Sequence, residues 1–115
     1  MELLTTGDGR VVCPKCTIAD SVPTRLRGLL GRKGLGADEG LLLTPANSVH
    51  TAFMRFPIDV VFLDRELEVL EVRESVPPWR MAARRGAKAV LEMGAGEARR
   101  RGIDLSVTLR RASAR

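Results

Sequence analysis

The residues with the clearest chemical potential are two cysteines, Cys13 and Cys16, separated by two positions. A Cys-x-x-Cys pair supplies half of a structural zinc site, which takes four ligands. The other ligands would be His50 with a carboxylate such as Asp59, or the same pair from a second subunit. Redox dithiols share the spacing, but they work where a helix N-terminus lowers a thiolate pKa, and a strand surrounds this pair. The third interpretation is a pair of ordinary strand cysteines, kept as thiols in a reducing cytoplasm.

The only histidine, His50, could exchange protons near neutral pH without a large pKa shift. Thr51, Arg55 and Asp59 follow it closely, and the four side chains together are candidates for a small polar ligand site. Asp59 would orient the imidazole, and Arg55 would hold a carboxylate or a phosphate. In the structural alternative, Asp59 accepts backbone N–H bonds from the turn at residues 55–57, and Arg55 only neutralises its charge.

Trp79 follows two prolines, so its ring is carried by a stiff, extended segment. A large amphipathic ring in such a place is typical of an anchor that binds a partner protein. It is equally consistent with a ring that covers one end of the fold.

The sequence contains no phosphate loop, paired catalytic carboxylates, His-Glu-x-x-His motif or nucleophile elbow, so no catalytic motif is identified. We therefore predict a non-catalytic domain that binds a small ligand or a protein partner and needs no cofactor. The side chains of its binding surface are His50, Thr51, Arg55, Asp59 and Trp79. The alternative is an enzyme or a zinc-binding protein that uses His50, Asp59 and the Cys13/Cys16 pair.

The chain carries 19 Lys and Arg against 14 Asp and Glu, a net charge of +5. This excess predicts weak electrostatic binding to anionic surfaces. Nucleic-acid readers usually combine a basic face with aromatic stacking, and this chain has three Phe, one Trp and no Tyr. The composition therefore disfavours nucleic acid as the partner.

No segment is apolar over the roughly 20 residues that a bilayer span requires. The first ten residues have neither the basic nor the apolar region of a signal peptide. We therefore expect a cytoplasmic protein without a transmembrane segment.

Short strands must position these residues. Residues 3–5 and 11–13 flank an Asp-Gly loop that suits a hairpin. Residues 58–63 are apolar on both faces and should form a central strand. The apolar positions of residues 67–72 change phase after Val69, which predicts a β-bulge. Further strands are predicted at residues 41–43, 89–93 and 105–109.

Two short helices are also predicted. The first is capped by Asp20 and Ser21 and ends at Gly31 or Gly34, and the second covers residues 97–101. With no linker in the sequence, residues 1–110 should form one domain and residues 111–115 a basic tail. The fold class is then α+β: a mainly antiparallel β sandwich or partly closed barrel with two short helices, because no long crossover fits.

Three blocks, at residues 25–32, 50–64 and 90–96, occur in an order and spacing that resemble the family called domain of unknown function 192. The resemblance extends over residues 10–109. Its most specific part is the central block, where Pro-Ile-Asp begins an apolar strand that ends in Phe-Leu-Asp. The resemblance implies a compact, mostly β fold with short helices, and it brings no reaction, substrate or cofactor.

Overall fold

The computed structural model describes residues 2–19, 35–51 and 55–113, and these form nine strands and one short helix. In chain order the elements are β1 (Glu2–Thr6), β2 (Val11–Ala19), β3 (Glu39–Leu43), β4 (Ser48–His50), β5 (Ile58–Leu63), β6 (Val69–Val76), β7 (Met81–Ala83), β8 (Ala89–Gly94), α1 (Glu97–Arg100) and β9 (Leu109–Ser113). The first predicted helix lies outside the described residues, and α1 corresponds to the second. No helix in the described ranges has the length and apolar character that crossing a bilayer requires.

Seven strands form one mixed sheet in the order β6-β5-β8-β3-β2-β1-β9, and β4 pairs with β7 in a separate small sheet. Neighbouring strands are antiparallel except β2 and β3, which run parallel with Cys16 opposite Gly40. Parallel neighbours need a connection of about a dozen residues or more. Our expectation that no long crossover fits was therefore wrong at this pair, because residues 20–38 are long enough to make one.

The two edges of the large sheet, β6 and β9, meet at a single bridge between Glu68 and Thr108. Beside it, the Val69 N–H donates to the Val107 carbonyl at 3.0 Å. No ladder extends this bridge among the residues described, so the sheet curls without closing into a barrel. The mostly β fold is confirmed, and it takes the form of one mixed sheet that is not closed, where the prediction was a sandwich or a partly closed barrel.

Apolar side chains pack on both faces of the large sheet. All residues of β5 and β8 are buried, which confirms that residues 58–63 form an interior strand. One face packs against Ala98 of α1. The other face packs against Val49 of β4 and Ala82 of β7. The helix and the small sheet therefore lie on opposite faces of the large sheet.

Strand β6 contains two bulges where it pairs with β5. Phe62 is opposite Glu71 and Leu63 is opposite Val69, so one extra residue lies between them and confirms the predicted phase change. The second bulge lies opposite Asp59, where two residues of β6, 74 and 75, face this one residue of β5.

The closing strand, predicted at residues 105–109, was wrong in position. The Asp104 carboxylate accepts the Ser106 N–H at 2.9 Å, a local turn that competes with strand formation. Leu105 in this turn is 64% exposed. The strand that forms, β9, pairs with β1 and includes residues 111–113, which we had assigned to a basic tail.

Candidate functional site

Asp59 is fully buried and accepts two backbone N–H groups. Its Oδ1 accepts from Ser75 at 2.8 Å, and its Oδ2 accepts from Ala98 at 2.9 Å. Ser75 lies in the second bulge of β6, where its φ of 53° takes it out of the regular ladder. Ala98 lies in the first turn of α1, whose N-cap, Gly96, has no side chain to cap it. The carboxylate therefore accepts a backbone N–H of the bulge and also caps the helix.

The predicted site grouped Asp59 with His50 and Arg55. The structure places both of those side chains on the surface, while both Asp59 oxygens bind backbone amides in the core. Arg55 belongs to no ion pair among the described residues. The structural alternative for Asp59 is the observed arrangement, although the donors are distant in sequence and do not come from the turn at residues 55–57.

Thr51 is 1% exposed and holds the segment that precedes β7. Its N–H donates to the Arg80 carbonyl at 2.8 Å, and its own carbonyl accepts the Trp79 N–H at 3.1 Å. Its hydroxyl donates to the Pro77 carbonyl at 2.7 Å and accepts the Arg80 N–H at 2.8 Å. One buried threonine thus fixes the backbone on both sides of Trp79.

Trp79 has a φ of 62°, and the residue is 61% exposed. The left-handed region costs a non-glycine residue about 1–2 kcal/mol, and such strain is concentrated at functional sites. Met81 is 73% exposed and lies opposite the exposed His50 across the small sheet. We call the exposed side chains of His50, Trp79, Arg80 and Met81 the Trp79 surface.

Of the five predicted binding residues, Thr51 binds the backbone of Trp79, and His50, which precedes Thr51, lies opposite Met81. Arg80 and Met81 were not among the binding residues predicted from the sequence. The strand β7 that presents Met81 has only three residues, too few for a periodic pattern to reveal.

Cys13 and Cys16 are both buried in β2. Across residues 2–19, 35–51 and 55–113, no three His, Cys, Asp or Glu side chains converge on a point where they could hold a metal ion. The zinc site predicted from this pair with His50 and Asp59 is therefore not assembled there, since His50 is on the surface and Asp59 binds amides.

A buried carboxyl in β8, Glu92, was also missed. It lies between Leu41 of β3 and Val60 of β5, on the face covered by the small sheet, and is 5% exposed. Burial raises the pKa of Glu92 to about 7. The available signal in the sequence was a lone Glu in an otherwise apolar strand.

The first prediction concerns Thr51. Thr51→Val keeps the shape but removes the hydroxyl, and we expect it to lower the free energy of unfolding by roughly 1–3 kcal/mol. The matched variant Thr51→Ser keeps the hydroxyl and should cost about 1 kcal/mol or less. Urea unfolding measures both, and the fluorescence anisotropy of Trp79 should fall only in the valine variant. Equal anisotropy in the two variants would show that the hydroxyl does not hold Trp79.

The second prediction concerns pH. Because the pKa of Glu92 is about 7 in the folded chain against an ordinary 4.5, the folded state holds more protons between these values. The free energy of unfolding should therefore fall as pH rises through this window, by roughly 3 kcal/mol in total. Glu92→Gln should remove this slope and be the more stable protein at about pH 8. Urea unfolding across the pH range checks it, and an unchanged slope in the glutamine variant would contradict it.

Two solved structures are similar to this fold. A protein from Sinorhizobium meliloti 1021 that was proposed to be a transcription regulator has a TM-score of 0.80 and 22% identity, over 95% of this chain and 90% of that one. A protein of unknown function from Novosphingobium aromaticivorans has a TM-score of 0.77 and 23% identity, over 97% of this chain and 83% of that one. At these identities the likeness concerns the fold alone.

The sequence comparisons are more specific. A UPF0127 protein from Thermococcus sibiricus is 33% identical over 99 residues, which cover 82% of this chain. The same alignment covers 64% of that protein, so the chain spans less than two thirds of its relative. The model of the domain of unknown function 192 family, described as "Uncharacterized ACR", matches residues 3–110. The resemblance noted in the sequence is thereby confirmed, and the chain belongs to the domain of unknown function 192 family.

Proposed function

We propose that this domain is a non-catalytic binding module whose Trp79 surface docks an acidic, partly apolar segment of a protein partner. The observation that carries the proposal is Trp79, a residue that is 61% exposed on a left-handed backbone held by Thr51. Burying such a ring in a partner is favourable, and its backbone is already ordered, so binding costs little further entropy.

The apolar part of the surface supports a protein partner. Trp79 and Met81 are two of the four large apolar side chains recorded as exposed among the described residues, and they are two positions apart. Aromatic residues and methionine are enriched at the centres of protein interfaces. Small-ligand sites are concave and bury most of the ligand, whereas His50, Trp79 and Met81 are exposed, so a protein segment fits this surface better.

The charge of the small sheet supports an acidic partner. The segments that build it, residues 44–51 and 77–88, contain no Asp or Glu. Their Lys and Arg residues are Arg80, Arg84, Arg85 and Lys88. Arg84 contacts Glu71 at 3.2 Å, and no described ion pair includes the other three. Their uncompensated charge would attract an acidic segment and orient it on the surface.

The alternative, an enzyme or a zinc protein, has less support. Its mechanism needs a carboxylate beside His50 to set the imidazole, and the nearest candidate in the sequence, Asp59, accepts two backbone N–H bonds instead. Exposed His50 is better suited to contact a partner than to work in a site that must exclude water.

The test uses Trp79 itself, which is the only tryptophan in the chain and so reports on this surface alone. The protein is titrated with a short peptide of Glu and Leu, and with matched peptides of Glu and Ser and of Lys and Leu. We expect the Glu/Leu peptide to shift the emission of Trp79 to shorter wavelength and to protect it from iodide. The Glu/Ser peptide should bind more weakly, and the Lys/Leu peptide should not bind.

Variants locate the binding. Met81→Ser and Arg80→Glu should each lower the affinity for the Glu/Leu peptide roughly tenfold, equivalent to about 1.4 kcal/mol of binding free energy. Leu105→Ser and Arg65→Glu change an equally exposed apolar and an exposed basic side chain elsewhere, and should leave affinity unchanged. Binding that is indifferent to Met81→Ser, or equal for all three peptides, would refute the proposal. Duplex DNA that binds more tightly than the peptide, through Arg80 but not Met81, would make this face a polyanion site instead.

A further inference from the structure

A bulge in β2 brings two thiols to the same face of the sheet. Residues three apart in a regular strand point to opposite faces. Here Cys13 is opposite Leu4 and Cys16 is opposite Glu2, so three steps along β2 match two along β1. Both cysteines consequently belong to the same buried cluster.

The bulge also shortens the distance between the two cysteines. Because the three steps from Cys13 to Cys16 match two steps of β1, they span about 7 Å rather than about 10 Å. The Cα atoms of disulfides lie about 4.4–6.8 Å apart, so the bulge brings the pair close to this range. The Cys16 thiol hydrogen-bonds to Cys13, so the side chains are already in contact. The neighbouring strand β3 has a glycine, Gly40, beside this pair. A Cβ at Gly40 would be 2.6 Å from the Cys13 Sγ, so only glycine leaves room for this sulfur.

A buried arginine lies beside the pair. Arg101 donates to the Val12 carbonyl at 3.2 Å and contacts the Glu97 carboxylate at 3.0 Å. The hydrogen bond from Cys16, and after it the charge of Arg101, hold the pKa of the Cys13 thiol below its usual value, although burial acts in the opposite direction. A thiol in such surroundings is the better nucleophile of a pair.

Small molecules can approach this part of β2. A groove of about 430 Å³ is lined by Val12 and Pro14, which flank Cys13, and by Arg101. Cys13 itself is fully buried and Cys16 is 5% exposed, so a reagent must pass from this groove into the strand. Hydrogen peroxide is close to water in size, so a small local opening of the strand admits it.

We propose that Cys13 and Cys16 are a reversible dithiol–disulfide pair that hydrogen peroxide oxidises, with Cys13 as the attacking sulfur. The Cys13 thiolate attacks one peroxide oxygen, the O–O bond breaks, and the departing hydroxide takes up a proton to become water. Cys16, as its thiolate, then attacks the sulfur of the Cys13 sulfenic acid, the S–O bond breaks, and a second water leaves. Two thiols and one peroxide give one disulfide and two waters, and a dithiol reverses the change by exchange.

The experiment treats the folded protein with hydrogen peroxide at neutral pH, alkylates it and measures its intact mass. We expect a monomer that has lost two hydrogens and takes up no alkyl group, and that dithiothreitol restores. Protein unfolded in urea controls for the reagents. In Cys16→Ser the reaction should stop at a sulfenic acid on Cys13, which dimedone labels. This labelling should be at least several-fold faster than the labelling of Cys13→Ser.

Three outcomes would overturn the proposal. Thiols that survive peroxide in the folded protein, but are oxidised in urea, would be inert core residues. Disulfide-linked dimers would place the reaction between molecules. Equal dimedone labelling of the two serine variants, with folding checked by circular dichroism, would remove the assignment of Cys13. The mass of the unmodified sequence decides the first two without any variant.

Discussion

The fold depends on one buried carboxylate, that of Asp59, whose two oxygens bind backbone amides of two other elements. Strand β5 supplies the acid, the bulge in β6 supplies Ser75, and α1 supplies Ala98. The Ala98 amide is buried, and leaving it without an acceptor would cost about 1–3 kcal/mol, whereas the partly buried Ser75 amide would regain some hydrogen bonding from water. A helix of four residues has little stability of its own, so Asp59 fixes where it begins. The helix in turn places Arg101, which follows its last residue, beside the cysteine pair.

This constraint separates the two faces of the large sheet by role. The face under α1 holds Asp59, Arg101 and the two thiols, and each of these is closed off from large molecules. The face under the small sheet holds Glu92 in an apolar cluster, and the small sheet turns its outer side chains to solvent. Asp59 is occupied in the core, and the proposed binding surface is the one that Thr51 supports around Trp79.

The sequence predicted best what depends on neighbouring residues. The apolar run of β5, the phase change in β6 and the hairpin of β1 and β2 are local patterns, and all three are present. The parallel pairing of β2 with β3, the donors to Asp59 and the support of Trp79 by Thr51 each join segments far apart in the chain. Periodicity cannot report them. The pKa of Glu92 likewise depends on three strands packed together, so its lone position in the sequence was only a hint.

Amide hydrogen exchange followed by NMR tests the role of Asp59 most directly. In the native protein the Ser75 and Ala98 amides should exchange slowly. In Asp59→Ala both exchange rates should rise at least tenfold, equivalent to about 1.4 kcal/mol in the free energy of opening. Asp64→Ala is the matched control, because Asp64 accepts the Glu66 and Glu68 N–H groups at 2.9 Å in an exposed turn and should affect only those amides. If the Ser75 and Ala98 amides exchange at equal rates in the native protein and in Asp59→Ala, the account is contradicted, because Asp59 would not hold the bulge and the helix in place.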